Sequence, residues 1–171
     1  MAERLWAPWR YTYIKAARAG EAECIFVDLP AQTDDRKNLI LHRGEGAFVM
    51  LNAYPYTNGH LMVAPYRHTT DFDELSDGEH LEIQRLLAAA IGWLKGAYRP
   101  DGFNIGVNLG RVAGAGIEDH LHWHIVPRWS GDTNFMPVIG EVRVLPQSLE
   151  ESYDLLRREV ERWLESSGQQ P

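Results

Sequence analysis

The sequence predicts an α+β fold: an antiparallel sheet of about five strands with one long helix packed on it, followed by a C-terminal helix. Short apolar segments separated by turn residues occur in hairpin order, one long amphipathic segment interrupts them, and a second one closes the chain. A doubly wound parallel sheet would need helices alternating with the strands, so the antiparallel arrangement is favoured.

The first predicted strands lie between residues 24 and 65. Residues 24–27 form a short apolar strand or turn, and residues 32–38 form a polar loop. Residues 38–43 and 47–51 flank a Gly-Glu-Gly turn and predict a hairpin. Asn52 closes the second strand, and a turn containing Pro55 and Asn58-Gly59 leads to a third strand over residues 60–65.

The long helix begins at a capping box, in which Ser76 and Glu79 satisfy each other's free backbone amides. Apolar residues recur after it at helical spacing, and the helix is expected to end before Pro100. The predicted apolar stripe consists of Leu81, Ile83, Leu86, Leu87, Ala90, Ile91, Leu94 and Tyr98.

The second half of the chain supplies two more strands and the last helix. Residues 102–108 alternate as a half-buried strand does, and a loop with three glycines (residues 109–116) leads into an alternating segment over residues 120–129. Residues 130–146 are irregular, a helix is predicted from about Ser148, and the tail 166–171 is expected to be disordered.

The chain shows neither an internal repeat nor a linker rich enough in glycine or proline to divide it. We therefore predict a single domain over residues 1–171. Residues 1–20, with four aromatic side chains, form an N-terminal arm, residues 24–129 form the core, and residues 130–171 form a C-terminal extension.

Composition excludes several classes of protein. No apolar run is long enough to cross a bilayer, so no membrane partner is expected. The N-terminus lacks the features of a signal peptide and Cys24 is the only cysteine, which together indicate a cytoplasmic protein. The net charge of −7 argues against nucleic acid as a partner, since phosphate backbones are bound by clustered cations.

The segment around residues 120–125 carries the chemistry. His120, His122 and His124 alternate with large apolar residues, so on a strand the three imidazoles share one face. Imidazole can be a nucleophile, base or acid at cellular pH. His122, flanked on both sides, is the best placed nucleophile, and the glycines upstream allow backbone amides to approach oxyanions. Together these features suit attack on a phosphoryl group.

Other interpretations of the three histidines compete with this one. A His-x-His pair on a strand can chelate zinc, and a third histidine would complete a catalytic metal site. The cluster could also be structural, with each ring satisfied by hydrogen bonds. A histidine-rich surface without function fits poorly, because the interleaved residues are apolar.

The segment His120-Leu121-His122-Trp123-His124-Ile125-Val126 resembles the signature of the histidine triad (HIT) family. Leu51-Asn52 and residues 58–65 are similar to the family's nucleoside-contacting strand pair, and Ile25-Phe26 resembles the apolar lip of its base pocket. Residues 6–10 and 127–129 resemble the bacterial branch related to diadenosine tetraphosphate phosphorylases and hydrolases.

The resemblance implies a homodimer whose two sheets join, and a two-step nucleotidyl transfer through a covalent nucleotidyl-His122 intermediate. It also implies roles for further residues. His124 would bind phosphate or orient the nucleophile, His120 would hold the ring geometry, and His60 would support the triad. The substrate-binding residues implied or predicted are Asn52 for the ribose, Asn108 and the loop residues Gly114 and Gly116 for phosphate, and Ile25, Phe26 and Leu51 for the nucleoside.

Two departures from the family pattern concern a metal and the acceptor. Some relatives carry a Cys-x-x-Cys zinc site, but here Val27 stands in the second position, although Cys24 could still join His42 or His68. We assign no metal ligand in the triad. Gly114-Ala115-Gly116 lacks a serine that phosphorylase-like relatives tend to have, which makes hydrolysis more secure than phosphorolysis.

We predict an enzyme that cleaves dinucleoside polyphosphates, with water or phosphate as acceptor. The covalent step needs no cofactor, although a divalent cation could accompany the polyphosphate. The alternatives are a nucleoside phosphoramidate hydrolase, a nucleotide-binding module with little catalysis, and a metal-dependent hydrolase.

Overall fold

The computed structural model describes residues 24–132 and 147–168, which contain a five-stranded antiparallel sheet and three α-helices. The strands are β1 (Ile40–Arg43), β2 (Ala47–Leu51), β3 (Leu61–Pro65), β4 (Gly102–Val107) and β5 (Trp123–Arg128), in the order β1-β2-β3-β5-β4. The helices are α1 (Ile25–Asp28), α2 (Asp77–Tyr98) and α3 (Leu149–Ser167), with 3-10 turns at Phe72–Glu74 and Arg111–Ala113. The predicted α+β class is confirmed. The predictions for residues 1–20 and 133–146 lie outside the described residues.

The two faces of the sheet pack against different partners. Alternate residues of each strand point to the side covered by α2 and α3, where they form the main core. The sheet contributes Leu41, Ala47, Val49, Leu51, Leu61, Val63, Trp123 and Ile125 to this core. The intervening residues face a smaller cluster that contains Phe26 of α1, together with Ile40, Phe48, Met50, Met62 and Ala64.

Helix α2 begins and ends where the sequence predicts. Ser76 is its N-cap, both hydrogen bonds of the capping box are present, and Arg99 at φ +48° ends the helix before Pro100. The predicted stripe is wrong at Leu81, which is 51% exposed, and it omits Trp93, which is buried. Leu81 lies in the first turns of the helix, before the buried stripe begins at Ile83.

Helix α3 closes the β1 edge of the sheet. Tyr153 donates its hydroxyl hydrogen to the Ile40 carbonyl over 3.0 Å, and the Arg157 guanidinium donates to the Leu41 carbonyl over 2.7 Å. Arg36 also forms an ion pair with Asp154. Because these side chains occupy backbone groups of β1, this edge is covered, whereas β4 forms the opposite edge of the described sheet.

The turn before β3 requires glycine at residue 59. Its φ is +72°, and a Cβ at this position would lie 2.8 Å from Leu94 and 2.8 Å from the Tyr98 ring. Asn58 does not share the left-handed conformation of Gly59. Close contact between this turn and α2 places the following residue, His60, at the buried start of β3.

Two boundaries predicted from the sequence are wrong, and one segment with two alternatives is decided. Of the strand or turn predicted for residues 24–27, the structure has a turn: Ile25–Asp28 forms one helical turn, α1, whose amides at Val27 and Asp28 donate to the Cys24 carbonyl. Strand β5 begins at Trp123, so His120 and His122 precede it. The predicted disordered tail is helical through Ser167, and residues 169–171 lie outside the described residues. In the described part of the chain no helix is both long and apolar enough to cross a membrane.

Candidate active site

An open cleft lies on the face of the sheet opposite α2 and α3, and its empty space, including the mouth, is about 970 Å³. It is mostly apolar, and two of the three histidines border it, as is usual for a small-molecule site with few polar groups. The lining residues are Ile25, Phe26, Leu29, Lys37, Asn38, Leu39, Met50, Asn52, Ala53, Tyr54, Tyr56, Met62, Gly116, Ile117, His122 and His124.

Strand register explains why these residues share the cleft. Met62 pairs with His124 and with Met50, and Met50 pairs with Ile40, so the four residues form a row across four strands on one face. His124 and the two methionines therefore line the cleft from its histidine end toward β1. Phe26 of α1 packs over the row and stacks on the His122 ring at 4.7 Å between centroids.

The backbone fixes the proton on His122. Its Nδ1 lies 2.8 Å from the His120 carbonyl oxygen, which can only accept, so Nδ1 carries the hydrogen and donates it. In the neutral ring, Nε2 then carries no hydrogen and its lone pair is available. Burial lowers the pKa of His122, partly opposed by the same hydrogen bond, so the neutral form is favoured at cellular pH. A neutral imidazole with one fixed nitrogen is what nucleophilic attack requires.

A second chain of hydrogen bonds fixes His124. The Tyr56 backbone amide donates to Nδ1 of His60 over 3.1 Å, so the neutral His60 ring carries its hydrogen on Nε2. That nitrogen lies 3.0 Å from Nδ1 of His124, which must accept. His124 therefore carries its own hydrogen on Nε2. His122 and His124 thus have opposite polarity at Nε2, one an acceptor and the other a donor, with ring centroids 4.9 Å apart.

His120 is buried behind His122 and does not line the cleft. Its Nε2 donates to the Pro65 carbonyl over 2.8 Å, so its Nδ1 is unprotonated and faces the Cys24 sulfur at 3.4 Å. Burial is the largest influence on this ring and lowers the pKa of His120 to about 4, so it stays neutral at cellular pH. The backbone carbonyl of His120, rather than its ring, holds His122 in place.

The other predicted site residues divide into two groups. Ile25, Phe26, Asn52 and Gly116 line the cleft, and the Asn52 side-chain amide lies 3.4 Å from Nδ1 of His60. Leu51 is fully buried in the core on the helix side of the sheet, because it alternates with Met50, so its placement gives it no access to a ligand in the cleft.

Asn108 and Gly114 also lie outside the cleft lining. Asn108 follows Val107, which pairs with Trp123, so it ends β4 beside the residues that lead into β5. Gly114 has a φ of +94° and ends the 3-10 turn Arg111–Ala113. Both lie at the histidine end of the sheet, on the segments that flank His122.

The charged residues near the histidines form ion pairs with one another. Arg111, in the 3-10 turn Arg111–Ala113, pairs with Glu118 at 2.6 Å. Arg128 pairs with Asp132 at 2.5 Å and donates to Asn104. Arg111 and Arg128 do not line the cleft, so the cation on its lining is Lys37.

Sequence reasoning missed several lining residues, above all Met50, Met62, Tyr56, Lys37 and Asn38. The methionines could have been found from parity, because each is adjacent in sequence to a buried leucine that faces the helices. Met62 lies on β3, which pairs with the histidine strand β5, and Met50 lies on β2, the next strand. Lys37 and Asn38 lie in a segment predicted only as a polar loop. Their place in the cleft depends on how that loop returns to β1, which local sequence does not specify.

A family model described as "HIT domain" matches residues 33–131 of the chain. The AP-4-A phosphorylase of Mycobacterium tuberculosis (strain ATCC 25618 / H37Rv) is 41% identical over 168 residues, covering 94% of this chain and 85% of that protein. The chain belongs to the HIT domain family. The sequence predictions of this family and of a HIT-type enzyme are confirmed.

Solved HIT structures share the fold. The hypothetical histidine triad nucleotide-binding protein ST2152 of Sulfolobus tokodaii strain 7 superposes with a TM-score of 0.65 at 24% identity, covering 82% of this chain and 94% of that one. A Zn-bound histidine triad family protein of Mycobacterium smegmatis gives a TM-score of 0.60 at 23% identity, covering 88% and 94% of the two chains.

A second cluster of metal-ligand atoms adjoins the HIT triad. Cys24, His68 and His120 each offer one such atom, and these lie within 4.8 Å of one another. A thiolate and two imidazoles are donor types that zinc prefers, so the set offers three ligands to a zinc-type ion, and no fourth donor joins it among the described residues. His42, the other histidine considered for Cys24, lies on the opposite face of the sheet between Trp93 and Trp163.

Proposed function

We propose that this HIT protein cleaves dinucleoside polyphosphates, such as diadenosine tetraphosphate, through a covalent nucleotidyl-His122 intermediate. The supporting observation is the arrangement of two histidines at one end of an apolar cleft, His122 with a bare Nε2 and His124 with a protonated Nε2. The apolar remainder of the cleft, which includes Phe26 and two methionines, fits a nucleoside. The 41% identical relative named AP-4-A phosphorylase supports the substrate class.

Two displacements at phosphorus make up the proposed reaction. In the first, Nε2 of His122 forms a bond to the α-phosphorus and the bond to the bridging oxygen breaks, which releases a nucleoside polyphosphate. In the second, the oxygen of the acceptor bonds to phosphorus and the bond to nitrogen breaks, which restores neutral His122. Inorganic phosphate would yield a nucleoside diphosphate and water a nucleoside monophosphate.

The neighbouring residues have distinct proposed roles. His124 donates from Nε2 to a phosphoryl oxygen or to the departing oxygen, where negative charge develops. His60 donates to Nδ1 of His124 and so keeps the proton of His124 on its Nε2, which makes His60 a positioning residue. Asn52 contacts the ribose, and Asn108 and the loop at Gly114 and Gly116 contact the polyphosphate.

The covalent step is proposed to need no metal, because the bare imidazole nitrogen is already a nucleophile at cellular pH. A divalent cation accompanies the polyphosphate as part of the substrate. We further propose that two copies of the chain associate along β4, the strand edge that α3 does not cover. A nucleotide substrate agrees with the cytoplasmic location expected from the sequence.

The test is a product analysis with diadenosine tetraphosphate, with and without inorganic phosphate. The relative's name favours phosphate as acceptor, so we expect ATP and ADP when phosphate is present. Substrate labelled at the α-phosphorus, followed by acid-free quenching, should trap labelled protein. His122→Gly should lose at least about 10³-fold in turnover and all of the adduct.

The matched control is His80→Gly, since His80 lies in the first turn of α2 and bonds the Phe72 carbonyl outside the cleft. Its adduct and turnover should equal those of the unaltered protein. The assay is repeated on protein stripped of metals and supplied with magnesium only. A requirement for zinc, or an adduct that survives in His122→Gly, would contradict the proposed mechanism.

A further inference from the structure

The wall of the cleft farthest from the histidines is polar. Met62 and Met50 continue the row from His124 to Ile40, and three strand spacings separate the ends of that row by roughly 14 Å. Asn38 lies two residues before Ile40, and Lys37 beside it also lines the cleft. A nucleotide whose phosphorus lies at His122 would therefore direct its base toward these two side chains.

Asn38 presents an unpaired acceptor in this wall. Its Nδ2 donates to the Leu29 carbonyl over 3.1 Å and to Oε1 of Gln32 over 3.2 Å. The Leu29 carbonyl can only accept, which fixes the orientation of the amide and leaves Oδ1 as the remaining group. None of the described residues donates to its Oδ1. The residue is only 5% exposed, but Oδ1 is not among the fully buried polar atoms that lack a partner, so this oxygen is accessible, and Asn38 lines the cleft. A ligand donor in the cleft can therefore bind Oδ1.

Lys37 adds a donor next to that acceptor. Its side chain is exposed and its ammonium group can only donate. The wall therefore combines one acceptor with one donor, and between the wall and His124 the cleft is lined by Met50, Met62 and Phe26. A flat base held on this apolar surface must match the wall with its own hydrogen-bonding edge.

We propose that Asn38 and Lys37 select a 6-aminopurine base, and this rests on the proposed function. The exocyclic amino group of adenine donates to Oδ1 of Asn38, and the adjacent ring nitrogen N1 accepts from Lys37. Hypoxanthine has the opposite pattern, an oxygen in place of the amino group and a hydrogen on N1. Its oxygen would face the acceptor Oδ1 of Asn38, and its N1–H donor would face the ammonium donor of Lys37. A site built around a hydrogen bond rejects an analogue that cannot make it.

The test compares AMP with IMP, which differ only at this edge. Calorimetric titration of the full chain should show that AMP binds about 10-fold more tightly than IMP, or more. This ratio corresponds to the free energy of about one to two hydrogen bonds. Cleavage of diadenosine and diinosine tetraphosphate should show the same preference in kcat/KM. Asn38→Leu, which removes the acceptor, should bring the AMP to IMP ratio to within about three-fold of unity.

Asn38→Asp separates base recognition from loop structure. Both variants lose the donors to Leu29 and Gln32, but the aspartate keeps an acceptor oxygen, so it should retain the preference for AMP. Lys37→Met should reduce the ratio, whereas Lys95→Met, an exposed lysine on α2 outside the cleft, should leave it unchanged.

Equal binding of AMP and IMP by the unaltered protein, or a preference that persists in Asn38→Leu, overturns the proposal. Because binding needs no chemistry, the two proposals fail separately. Selective binding without cleavage of dinucleotides would contradict the proposed reaction alone, and cleavage without base preference would contradict this inference alone.

Discussion

At the scale of single residues, backbone groups determine which nitrogen of each histidine carries a proton. The His120 carbonyl accepts from Nδ1 of His122, and the Tyr56 amide sets the tautomer of His60. Imidazole side chains alone could exchange these protons, but carbonyls and amides cannot change roles. Nε2 of His122 is therefore an acceptor before any ligand binds, as the proposed reaction requires.

His60 is the residue at which this preparation can be tested. Replacing it with leucine leaves the Tyr56 amide and Nδ1 of His124 without their partner, so His124 can no longer be held as an Nε2 donor. We expect kcat for diadenosine tetraphosphate to fall by about 10²-fold, comparable to the loss of a positioned proton donor. KM should change much less, because His60 itself does not line the cleft.

The comparison variant is His60→Gln, whose oxygen can accept from Tyr56 and whose amide can donate to His124. It should recover part of the lost kcat, which a merely space-filling role would not predict. Equal losses in the leucine and glutamine variants, with melting temperatures matched, would argue against the proton chain.

At the scale of elements, the capping box of α2 combines local and tertiary contacts. The Glu79 carboxylate accepts from the Ser76 amide over 2.9 Å and from its hydroxyl over 2.8 Å, and it pairs with Arg67 at 2.9 Å. The hydrogen bond from Arg67 is the largest cause, ahead of the Ser76 amide, that lowers the pKa of Glu79 to about 2. The helix start is thus tied to the end of β3, where Arg67 follows Pro65.

This pKa predicts how stability depends on pH. The folded pKa lies below the unfolded one, so the contribution of Glu79 is complete above about pH 4.5 and is lost as pH falls toward 2. Glu79→Gln should lower the free energy of unfolding by about 1 kcal/mol at pH 7, and the difference from the unaltered protein should shrink below pH 4.5. Urea denaturation at several pH values measures it.

Arg67→Gln provides the control, since it removes the ion pair and keeps the cap. Without Arg67 the pKa of Glu79 is lowered less, so the stability contributed by Glu79 should be lost at a higher pH than in the unaltered protein. The difference in free energy of unfolding between Arg67→Gln and the Arg67→Gln, Glu79→Gln double variant measures this contribution. A Glu79→Gln difference that stays constant from pH 7 to pH 2 would contradict the assignment.

Elements that follow local rules could be predicted from the sequence, and those set by tertiary contacts could not. The capping box at Ser76, the helix start near Ser148 and the hairpin at β1 and β2 depend on neighbouring residues, and the structure contains each of them. The sequence does not decide between a strand and a turn for residues 24–27, because four apolar residues fit a strand or one helical turn equally well. The start of β5 at Trp123 depends on pairing with β3 and β4, which periodicity does not record.

The candidate site shows the same division. The three histidines, Asn52, Ile25 and Phe26 came from motif and resemblance, and the structure gathers them around one cleft or directly behind it. Leu51 was assigned from the resemblance of Leu51-Asn52 to the family's strand pair, but strand alternation places it on the other face of the sheet. Asn38 could not be predicted, because its significance lies in a carbonyl 9 residues away that orients its amide.

At the scale of the whole molecule, the two edges of the sheet differ. The β1 edge is occupied by Tyr153 and Arg157 of α3, whereas β4 carries exposed apolar side chains at Ile105 and, just beyond it, at Leu109. None of the described helices or strands pairs with the outer edge of β4, and a strand edge with apolar side chains is a template for pairing with another strand. A second copy of the same edge satisfies it symmetrically and ends the association at a dimer.

The proposed β4 interface predicts the effect of one charge. Ile105 is 47% exposed and lies between Phe103 and Val107 on the same face of β4, so two copies would bring their Ile105 side chains toward a common interface. Ile105→Lys places like charges there and should raise the dimer dissociation constant by at least about 100-fold. Light scattering coupled to size exclusion, over a dilution series, measures the change.

Leu81→Lys is the matched control, because the Leu81 side chain is similarly exposed, at 51%, but lies on α2. A dimer that tolerates Ile105→Lys as well as Leu81→Lys would show that the interface lies elsewhere. A monomeric unaltered protein would contradict the proposed dimer, and the twist and short length of β4 would then be what keeps its edge from pairing.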